Sequence, residues 1–145
     1  SARVKEEDLA QTVSLPGFTT DTDSFFRNLD CYVVTSSEEG QPVSLLEAMS
    51  YGLPVVSTDV GAISQTLAAE QEGLIVPSGD IAALSAAVQR FIDDSDLAHA
   101  CGSAARRRIE QQFSIDAVAD RYEESYRDIL HRHNPSQASS KSASV

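Results

Sequence analysis

Residues 30–58 read DCYVVTSSEEGQPVSLLEAMSYGLPVVST, and two apolar runs separated by a helical pattern decide the fold. Cys31, Tyr32, Val33 and Val34 make one near-continuous apolar run, and the stretch 53–58 (LPVVST) makes the second. Short runs of this kind suit strands covered on both faces, as in a parallel sheet. Between them a helix is expected to begin at or near Pro42, a residue suited to the first helical turn. Val43, Leu46, Ala48 and Met49 give that helix an apolar face, and Gly52 is its natural C-terminal breaker.

The same alternation continues outward. On the N-terminal side, residues 12–18 (TVSLPGF) form a β-type run closed by Pro16-Gly17, and residues 22–29 form a helix that Thr20, Asp21 or Thr22 can cap. On the C-terminal side come a loop and short helix over 59–67 and a strand over 73–77 (GLIVP). A helix follows, capped by Ser78-Gly79-Asp80, with Ile81, Leu84, Val88, Phe91 and Ile92 at core spacing. Another helix is expected over 97–113. Ser114 caps the last one, whose apolar face is Ile115, Val118, Ala119, Tyr122, Tyr126 and Ile129. From residue 134 both periodicity and bulk disappear, so 134–145 reads as a flexible tail and 1–133 as one partial domain. Strands alternating with helices give an α/β, Rossmann-like, mostly parallel sheet with flanking helices. Ligands of such sheets bind beyond the carboxyl ends of the strands. Loops 16–20, 36–41 and 58–62 are therefore expected to meet there.

Composition narrows the function. The chain of 145 residues carries 11 basic and 22 acidic residues, a net charge of −11. A field of that sign repels nucleic acid. Arg106, Arg107 and Arg108 are consecutive, point in different directions on a helix and read as a solvated face. No apolar run approaches the ~20 residues of a membrane span. Two cysteines, Cys31 and Cys101, form no disulfide framework, and the histidines His99, His131 and His133 form no zinc-ligand spacing. A reducing, cytoplasmic setting is expected.

The acids of the quoted stretch carry the chemistry. Glu39 lies in the loop, and Glu47 eight positions on lies about one and a half turns into the helix. The helix N-terminus offers unpaired N–H groups to a diphosphate or to sugar hydroxyls. A carboxylate accepts from two vicinal hydroxyls, so one acid suits a ribose diol and the other a hexose.

The E-x7-E spacing of Glu39 and Glu47, the helix reading LLEAM and the following GLPVV resemble the glycosyltransferase group 1 family (sugar-transferase family 4, GT-B fold). DCYVVTS, EGLIVPSGD and AARRRIEQQFS extend the likeness over most of the chain. The resemblance implies the donor-binding, C-terminal half of a GT-B enzyme without its first two strands, which would precede Thr12 in sequence and lie between 12–18 and 30–35 in the sheet. It implies a retaining transfer of a hexose from a nucleoside diphosphate sugar, with no metal or other cofactor. Carried over by position, Glu39 is the catalytic residue beside the sugar. Gly40, Gln41, Pro42 and Val43 meet the sugar and phosphates, Glu47 grips the ribose, and Asp59, Val60, Gly61 and Ala62 form the neighbouring donor loop. Two departures stand out. Where the family often has E-G-F-G, this chain has Glu39-Gly40-Gln41-Pro42, and Pro42 brings no N–H. Where it often has G-G-x-P-E, this chain has Gly61-Ala62-Ile63-Ser64-Gln65.

The resemblance also implies that activity requires a separate N-terminal acceptor-binding half, and that sheet edges left open favour self-association. A start without Met, in what reads as the end of a helix, fits a piece of a longer protein. In the longer protein a peripheral position on the inner face of the membrane is compatible with the cytoplasmic setting. A non-catalytic nucleotide-sugar-binding or interaction module, and a GT-B nucleotide-sugar epimerase, stay open beside the transferase.

Overall fold

The structure is a computed structural model that describes residues 2–40 and 42–133. Three parallel strands, β1 (Tyr32–Val34), β2 (Val55–Thr58) and β3 (Leu74–Val76), lie in the order β1-β2-β3. Tyr32 pairs with Val55, and Val56 with Leu74. The helices are α1 (Ala2–Glu6), α2 (Thr22–Arg27), α3 (Val43–Ser50), α4 (Ile63–Thr66), α5 (Ile81–Asp93), α6 (Ser95–Arg108) and α7 (Ile115–His133). A π-helical segment, Ile109–Phe113, joins α6 to α7.

β2 is buried along its whole length, as its continuous apolar run predicts. Successive side chains of a strand point to opposite faces, and β2 uses both. Val55 packs with Leu45, Ala48, Met49, Ile63 and Leu67 on one side. Val56 packs with Leu74, Val76, Ala87, Phe91 and Cys101 on the other. The sheet is thus covered by α3 and α4 on one face and by α5 on the other, the doubly wound arrangement expected from the sequence. Ala105 and Cys101, one turn apart on α6, each join one of the two clusters.

Most helix boundaries follow from capping chemistry. The carboxylates of Asp21, Asp80 and Asp94 accept from the amides of Ser24, Ala83 and Leu97 at 3.0, 2.9 and 2.8 Å. Asp94 starts α6 two residues earlier than periodicity predicts. Ser114 Oγ accepts from the Ala117 amide at 3.2 Å and opens α7. At the end of α3, Gly52 takes φ +72. Its N–H reaches Met49 O at 3.0 Å, and the Leu53 N–H reaches Ala48 O at 3.2 Å. Those two bonds form the Schellman closure that turns the chain into β2.

Three expectations are corrected. Residues 12–18 form no strand. The Thr12 and Val13 amides donate to Leu9 O in a turn, Pro16 has no N–H, and Gly17 at φ +81 breaks the extended run. Among the described residues no strand lies beside this segment, and Phe18 is 93% exposed. The sheet therefore does not include 12–18, and β1 is its edge. Second, loop 16–20 does not join the other two loops: Pro16 and Thr19 line a shallow concavity with Asp21, Ser24 and Phe25 of the α2 region. Third, the helix expected over 97–113 ends as an α-helix at Arg108. The tail expected over 134–145 lies outside the described residues.

The turn after α3 is pressed against α6. A Cβ placed on Gly102 would stand 2.1 Å from the Gly52 carbonyl oxygen, so only a glycine lets the two backbones meet. Gly102→Ala is expected to destabilise the fold by about 1–3 kcal/mol through overpacking, read as a lower urea midpoint at an unchanged m-value.

Candidate functional site

The loops that follow β1 and β2 lie side by side at the carboxyl ends of the strands. Thr58 Oγ1 donates to Ser36 O at 2.7 Å, bridging the two strand ends. The Asp59 amide donates to Val76 O at 2.8 Å and extends the β2–β3 pairing by one residue. Gly61 then turns the chain at φ +54 directly against Glu39. An added Cβ would lie 1.8 Å from Glu39 O and 2.8 Å from its carbonyl carbon. Any side chain here drives the loops apart. The missing Cβ is therefore a requirement of packing as well as of φ.

Within the first loop, Ser36 Oγ donates to Glu39 Oε1 at 2.6 Å, which fixes the half-buried carboxylate. Gly40 is exposed and Pro42 is buried. Pro42 stands one position before the helix as its N-cap residue, and its carbonyl accepts from the amides of Leu45 and Leu46 at 3.1 and 3.2 Å. Helix α3 has no side-chain cap at this end, so the first-turn amides of Val43 and Ser44 are left for a ligand or solvent. Leu45, Ala48 and Met49 bury one side of α3, while Val43 and Glu47 stay exposed on the other. Glu47 lies about 6 Å along the axis from Val43. Gln41 lies outside the described residues.

The far end of α3 is held by aromatic packing. Tyr51 stacks on Phe26 at 5.4 Å, and its hydroxyl donates to Asp23 at 2.7 Å. Asp23 also accepts from Arg27, and the two bonds, that from Arg27 foremost, hold its carboxyl below the usual carboxylate range. The Tyr51 hydroxyl is raised by its bond to Asp23, with partial burial and the charges of Asp23 and Glu47 acting in the same direction. Glu47 and Tyr51 are one turn apart, so the contact that seats Tyr51 also sets the direction of the helix bearing Glu47.

The geometry sets Gly61 against Glu39 and ties Thr58 to Ser36. Gly40, Pro42 and Val43 follow Glu39 in sequence, Asp59, Val60 and Ala62 flank Gly61, and Glu47 stays exposed on α3. Stretches 36–47 and 58–66 contain four acids and no Lys or Arg. They can accept hydroxyl groups and offer backbone amides, but they hold no cation for a phosphate. Among the described residues no group of His, Cys, Asp and Glu could hold a metal ion, and no helix is long and apolar enough to cross a membrane. A second concavity, about 340 Å³, opens at the opposite, amino ends of the strands between Asp30, Pro54, Phe91 and His99. Sheets of this class bind their ligands at the carboxyl ends, which favours the Glu39 loops. Sequence reasoning missed Ser36 and Thr58. The only signal for Ser36 is its position three residues before Glu39, and Thr58 reads as an ordinary strand residue.

Replacing Gly61 by Ala is expected to separate the two loops. Amide NMR signals of Glu39 and Gly40 should shift strongly while those of β3 stay in place, and the melting temperature should fall by several degrees, on the order of 1–3 kcal/mol.

The profile described as "Glycosyl transferases group 1" matches residues 1–108. The lipopolysaccharide core biosynthesis mannosyltransferase LpsB of Rhizobium meliloti is 35% identical over 119 residues, covering 81% of this chain and 34% of that protein. Sucrose-phosphate synthase from Thermosynechococcus elongatus superposes with a TM-score of 0.79 at 30% identity, over 90% of this chain and 33% of the other. S. aureus TarM, solved with UDP, α-GlcNAc-glycerol and fondaparinux, superposes with a TM-score of 0.77 at 25% identity, over 85% of this chain and 25% of the other. The chain spans about a third of the length of the first two proteins. Its parallel sheet between helical layers is part of the GT-B fold of these enzymes, and the chain belongs to the glycosyl transferases group 1 family.

Proposed function

We propose that this chain is the donor-binding part of a retaining glycosyltransferase, in which the two apposed loops hold a nucleoside diphosphate sugar. The single observation that carries the reading is the seating of Gly61 on the Glu39 carbonyl. That contact builds one continuous wall from residues distant in sequence, at the edge of the sheet where ligands of α/β domains bind. In this reading Glu39, oriented by Ser36, lies beside the transferred hexose as the catalytic residue. Gly40, Gln41 and Val43 offer polar groups to the sugar and phosphates, and Pro42 sets the start of α3. Glu47 grips the ribose diol through both carboxylate oxygens. Asp59, Val60, Gly61 and Ala62 close the other side. The UDP bound by TarM supports a nucleotide at such a site.

In the transfer, the bond from the anomeric carbon to the diphosphate breaks, an acceptor hydroxyl oxygen bonds to that carbon with retained configuration, and the hydroxyl proton passes to the departing diphosphate. The departing diphosphate gains charge. The first-turn amides of α3 stabilise that charge, with Pro42 removing one donor from the set. No cation lies in the two loops, so the compensating charge comes from basic residues beyond them. An N-terminal acceptor-binding half completes the cleft, and the reaction is metal-independent. Cys31 and Cys101, both free thiols, are at home in the reducing cytoplasm.

Titrating the protein calorimetrically with UDP, GDP and ADP tests the donor site. One nucleotide should bind, and Glu47→Ala should weaken it at least about tenfold, the worth of a charged hydrogen-bond pair. No binding by any of the three, or an affinity that ignores Glu47→Ala, overturns the assignment.

A further inference from the structure

Arg108 differs from its two neighbours in the run Arg106-Arg107-Arg108. Arg106 pairs with Glu110 on the surface, as a solvated face predicts. The Arg108 side chain instead turns inward, with only 20% of it exposed. Its Nη2 donates to Gln65 O at 2.8 Å, across 43 residues of sequence. Its Nε lies 3.5 Å from Glu72 Oε2. That distance is an ion pair but too long for a hydrogen bond, so Nε is a buried donor held by the charge of Glu72 alone. The same Glu72 oxygen accepts from the Ala68 amide at 2.7 Å.

These contacts converge on α4, which begins where loop 59–62 ends. Four residues of helix cannot hold their own orientation. Ile63 and Leu67, both fully buried, hold one face of α4 on the sheet, and Arg108 adds a polar anchor near its carboxyl end. Gln65 O is one of the terminal carbonyls that such a short helix cannot pair internally, and Arg108 supplies its donor. The turn after α4 is fixed from both sides, by Glu72 facing Arg108 and by Glu70 paired with Arg90 of α5 at 3.0 Å. Gly61 stands two residues before α4, so a rotation of α4 moves the contact with Glu39.

We propose that Arg108 and Glu72 are positioning residues for loop 59–62: the pair clamps α4 and thereby sets how Gly61 seats on the Glu39 loop. The proposal rests on the donor-site reading for its effect on ligand affinity, but not for its effect on the loop. It also couples the end of α6, where the chain becomes π-helical, to the candidate site.

The test combines amide hydrogen exchange with UDP titration on the wild-type protein, Arg108→Met, Arg108→Lys and Glu72→Gln. In Arg108→Met the amides of Ile63, Gln65 and Thr66, which bond to Val60 O and Ala62 O, should exchange about tenfold faster. The Val56 amide in β2 should keep its wild-type rate. UDP affinity should fall at least threefold well below the melting temperature. Arg108→Lys should restore part of both effects, since it returns the charge facing Glu72 without the forked donor. It is also the variant that decides the matter if Arg108→Met does not fold. Glu72→Gln keeps an acceptor for the Ala68 amide and should loosen the same residues. Unchanged α4 exchange, an equal rise in β2, or loosened α4 with unchanged UDP affinity overturns the proposal. Failure of the wild-type protein to bind UDP would defeat the donor reading instead, and the exchange pattern would still decide whether Arg108 clamps α4.

Discussion

The backbone of Gly61 rests on the carbonyl of Glu39, with no room for a single carbon between them. Other features of the carboxyl edge serve or depend on that approach. Thr58 ties the two strand ends through Ser36 O, and Ser36 in turn holds the Glu39 carboxylate. Below the loops, β2 is buried on both faces and fixes the spacing from which both loops start. Beyond them, α4 and its clamp to α6 set the angle at which the second loop returns. A glycine two residues from a short helix is a weak support by itself. It becomes a defined surface only because the core on one side and Arg108 on the other leave it no alternative position.

Two other close approaches have the same logic. Gly102 admits the Gly52 carbonyl beside α6, and Gly73 admits the Val55 carbonyl at the start of β3. At each, an absent side chain lets a helix or turn sit against a backbone instead of against another side chain. The result is a small sheet whose connections pack more tightly than three strands of three or four residues would suggest. The consequence for the site is rigidity at its base, while Val43, Glu47 and Asp59 remain exposed to whatever binds.

Much of this was legible in the sequence because the signals were local and redundant. The runs CYVV and LPVVST were flanked by turn residues, and the helices after 20–22, 78–80 and Ser114 were announced by candidate caps followed by apolar spacing, with the structure selecting Asp21 among the first three. Glu39 and Glu47 could be placed relative to one another because a loop and a helix of known rise separate them. The strand expected over 12–18 shows where such reading ends. Its residues have β propensity, but a strand exists only if a partner lies beside it, and here Pro16, Gly17 and the turn at Leu9 decide otherwise. Arg108 was misread for a related reason. Its partners, Gln65 and Glu72, lie far away in sequence, so nothing local distinguishes it from Arg106. The need for glycine at 61 likewise follows from a tertiary approach that no periodicity encodes.

The central claim is that ligand binding takes place at the joined Glu39 and Gly61 loops and not at the cleft beneath the strands. Amide chemical shifts followed while UDP is added distinguish the two directly. The amides of Glu39, Gly40, Val43 to Glu47 and Asp59 to Ala62 are expected to move together and saturate with one affinity. Shifts confined to Leu29, Asp30, Leu53 and His99, with residues 39–47 unchanged, would contradict it.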